Sequence, residues 1–414
     1  MKKDRHYIGL DIGTSKVCAI ICEAAEEGEK LEIIGIGSAE SKGLKKGSII
    51  NLESTVEAIK RTVEEAELMA GISAEAAYVG IAGGHIKGFN SRGVITVSHK
   101  HREITEDDVG RVIEAAKSVA IPEDREILHL VPQQFIVDDQ NGIFDPVGMR
   151  GSRLEVRVHI VTGAITSIQN VVTSVNRAGI EVLDTVLVQL AESETLLSED
   201  EKELGVGLVD IGGGTTDLAI FRHGSICHTA VLPFGGDHFT NDIAVGLRTP
   251  IPEGEKIKVR YGCAMKSLID EVDTIEVPTV GGRNPKLLSR QVLCEIIQPR
   301  AEEIFTLVSH EIEKAGYEDI LNAGLVLTGG SSLLEGIADV AEQVFDLPIR
   351  IGSPSGVGGL VDVINSPKYS TAVGLVLYGF YNRGGKEIGK HGGIKFLGNM
   401  ASKVKNIFAE IIPR

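Results

Sequence analysis

The sequence predicts an α/β protein of two lobes that face one another. Two stretches, and the order of elements around them, carry that reading. The first is Val209-Asp210-Ile211-Gly212-Gly213-Gly214-Thr215-Thr216-Asp217-Leu218-Ala219-Ile220-Phe221. Glycines between two strand-like runs predict a β-hairpin with a glycine turn. The second is Ile8-Gly9-Leu10-Asp11-Ile12-Gly13-Thr14-Ser15-Lys16-Val17-Cys18-Ala19-Ile20-Ile21, about 200 residues upstream and built on the same plan. A repeated hairpin suggests two homologous lobes. Strands and helices alternate around both copies, the mark of an α/β architecture.

In order along the chain, His6–Asp11, Val17–Cys22 and Leu31–Ser38 read as strands, with an acidic loop before the third. Glu53–Ala70 reads as an amphipathic helix with Val56, Ile59, Val63, Ala66 and Leu68 on one side. Tyr78–Ala82 is a buried strand ending at Gly83-Gly84. Residues 85–163 change character: short strands at Val94–Ser98, Val131–Val137 and Leu154–Val161 surround a helix capped by Thr105 with Asp108 at its third position. This predicts an inserted α+β subdomain. Helix Thr166–Arg177 and strand Ile180–Val188 resume the α/β pattern. The acidic run Ser198–Glu203 reads as a solvated linker into the second lobe.

There, strands flank the triple glycine, a third follows at Ile226–Leu232, and helix Asp237–Val245 comes next. Helices Glu253–Ser267 and Ser289–Glu313 bracket strand Thr274–Val277. Strand Gly324–Thr328, a Gly-Gly-Ser-Ser turn, helix Leu334–Phe345 and the apolar run Thr371–Tyr381 complete the pattern. The expected organisation is 1–84 with 164–197 and 352–382 as the first lobe, 85–163 as its insert, 198–247 with 311–351 as the second lobe and 248–310 as its subdomain. A flexible linker at 383–393 and an amphipathic tail at 394–414 follow.

With 43% hydrophobic and 24% charged residues, this is a well-cored globular chain. Aromatics are only 4%, so packing rests on aliphatic side chains. A net charge of −16 disfavours a broad nucleic-acid surface, and none is expected as a partner. The five scattered cysteines read as free thiols, and Met1–Arg5 runs into a strand without a signal-peptide core.

Both hairpins suit phosphate. Glycine admits close backbone approach, and successive N–H groups in such a turn form an anion-binding concavity. Thr14, Ser15, Thr215 and Thr216 add hydroxyls and Lys16 a charge. Asp11 and Asp210 are placed to hold Mg²⁺ through its water, with Asp217 a further candidate for such contacts. The third glycine motif, Thr328-Gly329-Gly330-Ser331-Ser332, stands between a strand and a helix, where a base or ribose packs on backbone and the helix dipole favours phosphate.

Together Asp11–Lys16, Asp210–Asp217 and Thr328–Ser332 resemble the two phosphate motifs and the adenosine motif of the actin, sugar kinase and heat-shock chaperone ATPase superfamily. The resemblance implies a two-lobed actin-like ATPase fold with duplicated RNase H-like cores and ATP as cofactor. Glu255-Lys256-Ile257-Lys258 looks like the helix whose Glu and Lys flank the nucleotide in bacterial actins, which marks Glu255 and Lys258. Within the superfamily the chain is similar to the bacterial FtsA division family, through Lys42–Asn51, Gly80–Ile86, Val280–Arg283 and Gln298–Glu302.

That similarity implies self-assembly into filaments, tethering of FtsZ at the inner face of the cytoplasmic membrane and recruitment of other divisome membrane proteins during septation. It implies docking of the FtsZ C-terminal peptide on 248–310, where Arg283, Arg290 and Arg300 face an acidic partner. Heat-shock members carry a Glu-Pro near the end of the strand that precedes the second lobe. The corresponding Leu187-Val188-Gln189-Leu190 shows no carboxylate, so at most weak ATPase activity is expected and no catalytic residue is assigned.

The tail is readable without the family. Phe396, Leu397, Met400, Val404, Ile407, Phe408 and Ile411 recur every three or four residues, and four basic residues stand against one acidic. A basic amphipathic helix on a glycine-rich tether suits an interfacial membrane anchor and peripheral attachment. Two alternatives share the scaffold: a small-molecule kinase, for which no further Asp-centred motif is found and which leaves the tail unexplained, and a pilus-assembly actin homologue, against which the terminal amphipathic helix after a glycine linker speaks.

Overall fold

The computed structural model describes residues 5–25, 30–98, 102–280 and 284–383. The tail, the linker from residue 384 on and Arg283 lie outside the described residues.

The chain opens with β1 (His6–Ile12) and β2 (Lys16–Ala24), an antiparallel hairpin in which Ile12 faces Val17, and continues into β3 (Leu31–Glu40). A small ladder, β4 (Leu44–Lys45) with β5 (Ser48–Ile49), precedes α1 (Leu52–Ala70). Asn51 caps α1 by accepting from the Ser54 N–H at 3.0 Å, and Gly71 ends it at φ 69°. Val56, Ile59, Val63 and Ala66 are buried, but Leu68 is 85% exposed. Its position falls off the buried stripe, so the expectation that it joins the apolar face fails.

Strand β6 (Ala76–Ile81) leads into the insert: β7 (Lys87–Thr96), α2 (Glu106–Lys117), β8 (Arg125–Val137), β9 (Gln140–Ile143) and β10 (Arg153–Ala164). Thr105 and Asp108 close a capping box at α2. Then come α3 (Ile165–Arg177), β11 (Glu181–Leu187), α4 (Val188–Leu196) and α5 (Glu199–Leu204). The last corrects the expected linker. Ser198 and Glu201 form a second capping box, and Arg350 donates to Glu201 at 2.7 Å, so the acidic run is a docked helix.

The second lobe begins with β12 (Val206–Ile211), β13 (Thr216–Arg222) and β14 (Ser225–Leu232), then α6 (Gly236–Leu247) and α7 (Ile251–Tyr261). Helix α7 stops short of the expected Ser267 because Gly262 is extended (φ −61°, ψ 136°). A Cβ there would meet the Lys258 carbonyl at 2.4 Å. Next stand β15 (Thr274–Val277), its unforeseen partner β16 (Lys286–Ser289) and α8 (Arg290–Ala315). Strand β17 (Leu325–Thr328), a 3₁₀ turn at Gly330–Leu333 and α9 (Ile337–Phe345) follow. Helix α9 starts later than Leu334, so a short turn, not that helix, follows the glycine pair. The chain closes with β18 (Ile349–Ile351), β19 (Val357–Gly359), α10 (Val361–Ile364) and α11 (Ser370–Arg383).

The first lobe is a sheet of order β11-β6-β1-β2-β3-β19, and the second β14-β13-β12-β17-β18. On one face of the first sheet, Leu10 and Val79 pack on Ile59 and Val175; on the other, Ile20 and Tyr78 pack on Val373 and Val376. In the second lobe Val209, Leu218 and Ile220 pack on Phe239, Ile243 and Phe305. Apolar burial at about 25 cal/mol per Å² drives each of these layers.

The insert has its own sheet, β7-β10-β8-β9, with Val112, Ile113 and Ala116 of α2 against Phe135, Leu154 and Val156. Its near end bonds to β14 of the second lobe. Asn90 donates to the Cys227 carbonyl and Gln133 to the Ile226 carbonyl, each at 3.0 Å, and His159 Nε2 lies 3.0 Å from Thr229 Oγ1. Burial lowers the His159 pKa to about 3, helped by His228 nearby. The folded state therefore holds this ring neutral while the unfolded chain protonates near 6.5. Its contribution to stability is full above about 6.5 and is lost as pH falls towards 3, at up to about 1.4 kcal/mol per unit. In urea unfolding between pH 7 and pH 5, the stability of His159→Gln should fall less steeply with acid than that of the parent, by up to about one proton.

Candidate functional site

Between the lobes lies a cavity of about 420 Å³. The β1–β2 and β12–β13 turns form its floor and close alike: the Gly13 N–H donates to the Lys16 carbonyl at 2.9 Å, and the Gly212 N–H to the Thr215 carbonyl at 3.0 Å. The turns meet face to face. A Cβ on Gly213 would lie 1.9 Å from Ser15 Oγ, and one on Gly214 2.8 Å from Thr14 Oγ1. Thr14 Oγ1 accepts from the Gly47 N–H at 3.1 Å. Lys16 donates to the Lys368 carbonyl and rests over the Tyr369 ring, 4.5 Å from its centre.

The third motif joins them. Gly329 sits at φ +83°, where a Cβ would lie 1.9 Å from Asp210 Oδ1, so only glycine allows that approach. Ser331 donates to the Gly212 carbonyl at 3.4 Å. Above, Lys258 donates to the Gly236 carbonyl at 3.0 Å and pairs with Glu255 at 2.7 Å. Thus Asp11, Gly13, Thr14, Ser15, Lys16, Asp210, Gly212, Gly213, Gly214, Thr215, Asp217, Glu255, Lys258, Gly329, Gly330 and Ser331 line one cavity.

Thr216 does not. It is fully buried and donates to the Phe234 carbonyl at 2.9 Å. Strand alternation explains this: Thr215 and Asp217 take one side and Thr216 the other. Of the expected peptide-facing arginines, Arg290 is held by Glu335, Asp273 and the Tyr261 carbonyl, and Arg300 by Asp242 at 2.6 Å and by Glu303.

The floor concentrates carboxylates. Burial raises the pKa of Asp11, against the charge of Lys16. Asp217 is pushed up to about 6 by burial, although Thr215 donates to it at 2.8 Å; Gln189 also donates at 3.2 Å. Asp210 stands well above the usual range through burial and the neighbouring Asp217 and Asp11, and its Oδ1 has no hydrogen-bond partner.

One turn beyond Leu187–Leu190 a carboxylate does appear. Glu192 on α4, three residues past Gln189, is buried beside Asp210 and accepts from Thr371 at 2.8 Å. Its i,i+3 spacing from Gln189 was the available signal. Among the described residues no three His, Cys, Asp or Glu side chains form a ready-made direct metal site.

A family model described as "Cell division protein FtsA" matches residues 207–374, and one described as "SHS2 domain inserted in FTSA" matches 83–162. The chain is 52% identical to cell division protein FtsA of Pseudomonas aeruginosa over 92% of its own length and 90% of the relative's. It belongs to the FtsA family. The FtsA of Escherichia coli K12 is 42% identical, with 90% of each chain covered. Among solved structures, a PilM–PilN type IV pilus biogenesis complex matches at TM-score 0.65 and 16% identity, over 90% of this chain and 98% of the other. MreB5 of Spiroplasma citri, bound to ADP, matches at 0.53 and 16%, over 90% and 95%. These likenesses place the FtsA-family chain in the actin-like fold, with its α+β insert in the first lobe.

Proposed function

We propose that the chain binds ATP between its lobes, assembles on the cytoplasmic face of the inner membrane at the division septum, and tethers FtsZ there while recruiting other divisome proteins. The observation that carries this is the convergence of three separate glycine motifs on one cavity. Gly213, Gly214 and Thr215 offer backbone N–H groups to phosphates, Lys16 a charge, and Gly329–Ser331 with Glu255 and Lys258 the ribose and base side. MreB5, a fold neighbour, is described as bound to ADP. Asp210 Oδ1, buried without a donor, fits a water of Mg²⁺ held by the phosphates, and Asp11 stands across from it. Bound Mg²⁺ would offset the phosphate charge against this carboxylate floor.

Family membership favours division over a small-molecule kinase or pilus assembly. No described helix is long and apolar enough to cross a membrane, so attachment falls to the tail. Many weak tails along one filament bind with avidity. An acidic FtsZ peptide on 248–310 has to displace Asp242 or Glu303 from Arg300, or Glu335 from Arg290; Arg283 completes the set. Flotation of phospholipid vesicles tests the reading. FtsZ should rise with vesicles when the full chain and ATP are present and stay behind when residues 384–414 are removed. FtsZ left behind by a full chain that itself floats would refute the tethering.

A further inference from the structure

Behind the cavity floor stands a carboxylate that neither the glycine motifs nor the family comparison assigns. Glu192 is 1% exposed. One of its oxygens accepts from Thr371 at 2.8 Å, and the other, Oε2, has no donor. Asp210 lies within hydrogen-bonding reach of it and likewise keeps Oδ1 without a donor. Two carboxylates this close are satisfied either by a proton shared between them or by donors from outside, because in the charged form both only accept. Buried acceptors without donors are rare and call for an unseen water or ion. The neighbouring carboxylate, Asp217, is already served by Thr215 and Gln189. Glu192 Oε2 and Asp210 Oδ1 are the carboxylate oxygens of this group left without a partner, and Gln189 Oε1 beside them is likewise unpartnered.

We propose that Glu192 belongs to the cation site: with Asp210 it accepts hydrogen bonds from waters of a divalent cation that arrives with the nucleotide, and Thr371 holds it in position. The contact runs through water, which fits the lack of a ready-made direct site among the described residues. It makes α4 and α11, which carry Glu192 and Thr371, part of the cation's support. Glu192 is a positioning residue; it reaches phosphate only through the cation and its waters.

The inference rests on the ATP reading, and one experiment separates the two. ATP affinity is measured by equilibrium dialysis with Mg²⁺ and with EDTA for the parent, Glu192→Gln and Thr371→Val. Mn²⁺ bound to each ATP complex is counted from the loss of the free-ion electron paramagnetic resonance signal. Circular dichroism melting confirms that each variant is folded. Glu192→Gln should weaken Mn²⁺ binding about 10- to 100-fold, the usual effect of losing an outer-shell partner. Its affinity for ATP in EDTA should hold, because Glu192 lies behind the cavity floor and touches no phosphate itself. A merely structural role would weaken both together. Thr371→Val should shift Mn²⁺ affinity the same way by less. If Glu192→Gln keeps the parent's Mn²⁺ affinity, the inference falls and the ATP reading stands. If the parent binds no ATP, both fall.

Discussion

Gly330→Val should leave the chain folded, with an unchanged melting temperature, and weaken ATP binding by at least about tenfold, ~1.4 kcal/mol. Gly330 lines the cavity, and a Cβ there would meet no atom within 4 Å. Its φ lies outside the left-handed region, so a side chain is tolerated. The added volume stands where the adenosine side of the ligand is proposed to pack. The contrast is Gly329, one residue earlier. Valine at that position suffers both a positive φ and the collision with Asp210, so loss of binding there would confound site and fold. Differential scanning calorimetry beside equilibrium dialysis reads both quantities for Gly330→Val. Unchanged affinity in a folded variant would move the nucleotide away from the third motif.

Phe408→Glu should release the chain from anionic vesicles by at least about tenfold, since burying one phenylalanine is worth roughly 1.5–3 kcal/mol. Phe408 lies on the apolar side of the 394–414 repeat with Val404 and Ile411. Lys395→Glu on the opposite side should weaken binding less, with the larger loss at low salt, because its contribution is electrostatic and screened. Sedimentation of vesicles at two ionic strengths distinguishes them. Equal losses for both variants, or none, would count against an interfacial helix.

How much of this was legible in the chain depended on how local the signal is. The glycine hairpins were readable because a turn between strands is written in consecutive residues, and Gly13 and Gly212 close their turns by the same bond. Strand alternation alone would have removed Thr216 from the site. The Ser198–Glu201 box was there to be read, but the charge run around it suggested solvent. Glu192 differs in kind. Its meaning comes from Asp210 and Thr371, residues far along the chain that only the folded sheet and α11 bring alongside. For Arg290, and for Arg300 apart from its i,i+3 neighbour Glu303, the fold likewise supplies carboxylate partners that no spacing announces.

Two hairpins and one glycine loop are proposed to make a single nucleotide clamp between the lobes. The most direct measurement is the stoichiometry of ATP bound to the purified full chain with Mg²⁺, by equilibrium dialysis. Saturation is expected at one ATP per chain, with Gly330→Val shifting the curve to higher concentration. Absence of saturable binding, or saturable binding that Gly330→Val leaves untouched, would contradict it.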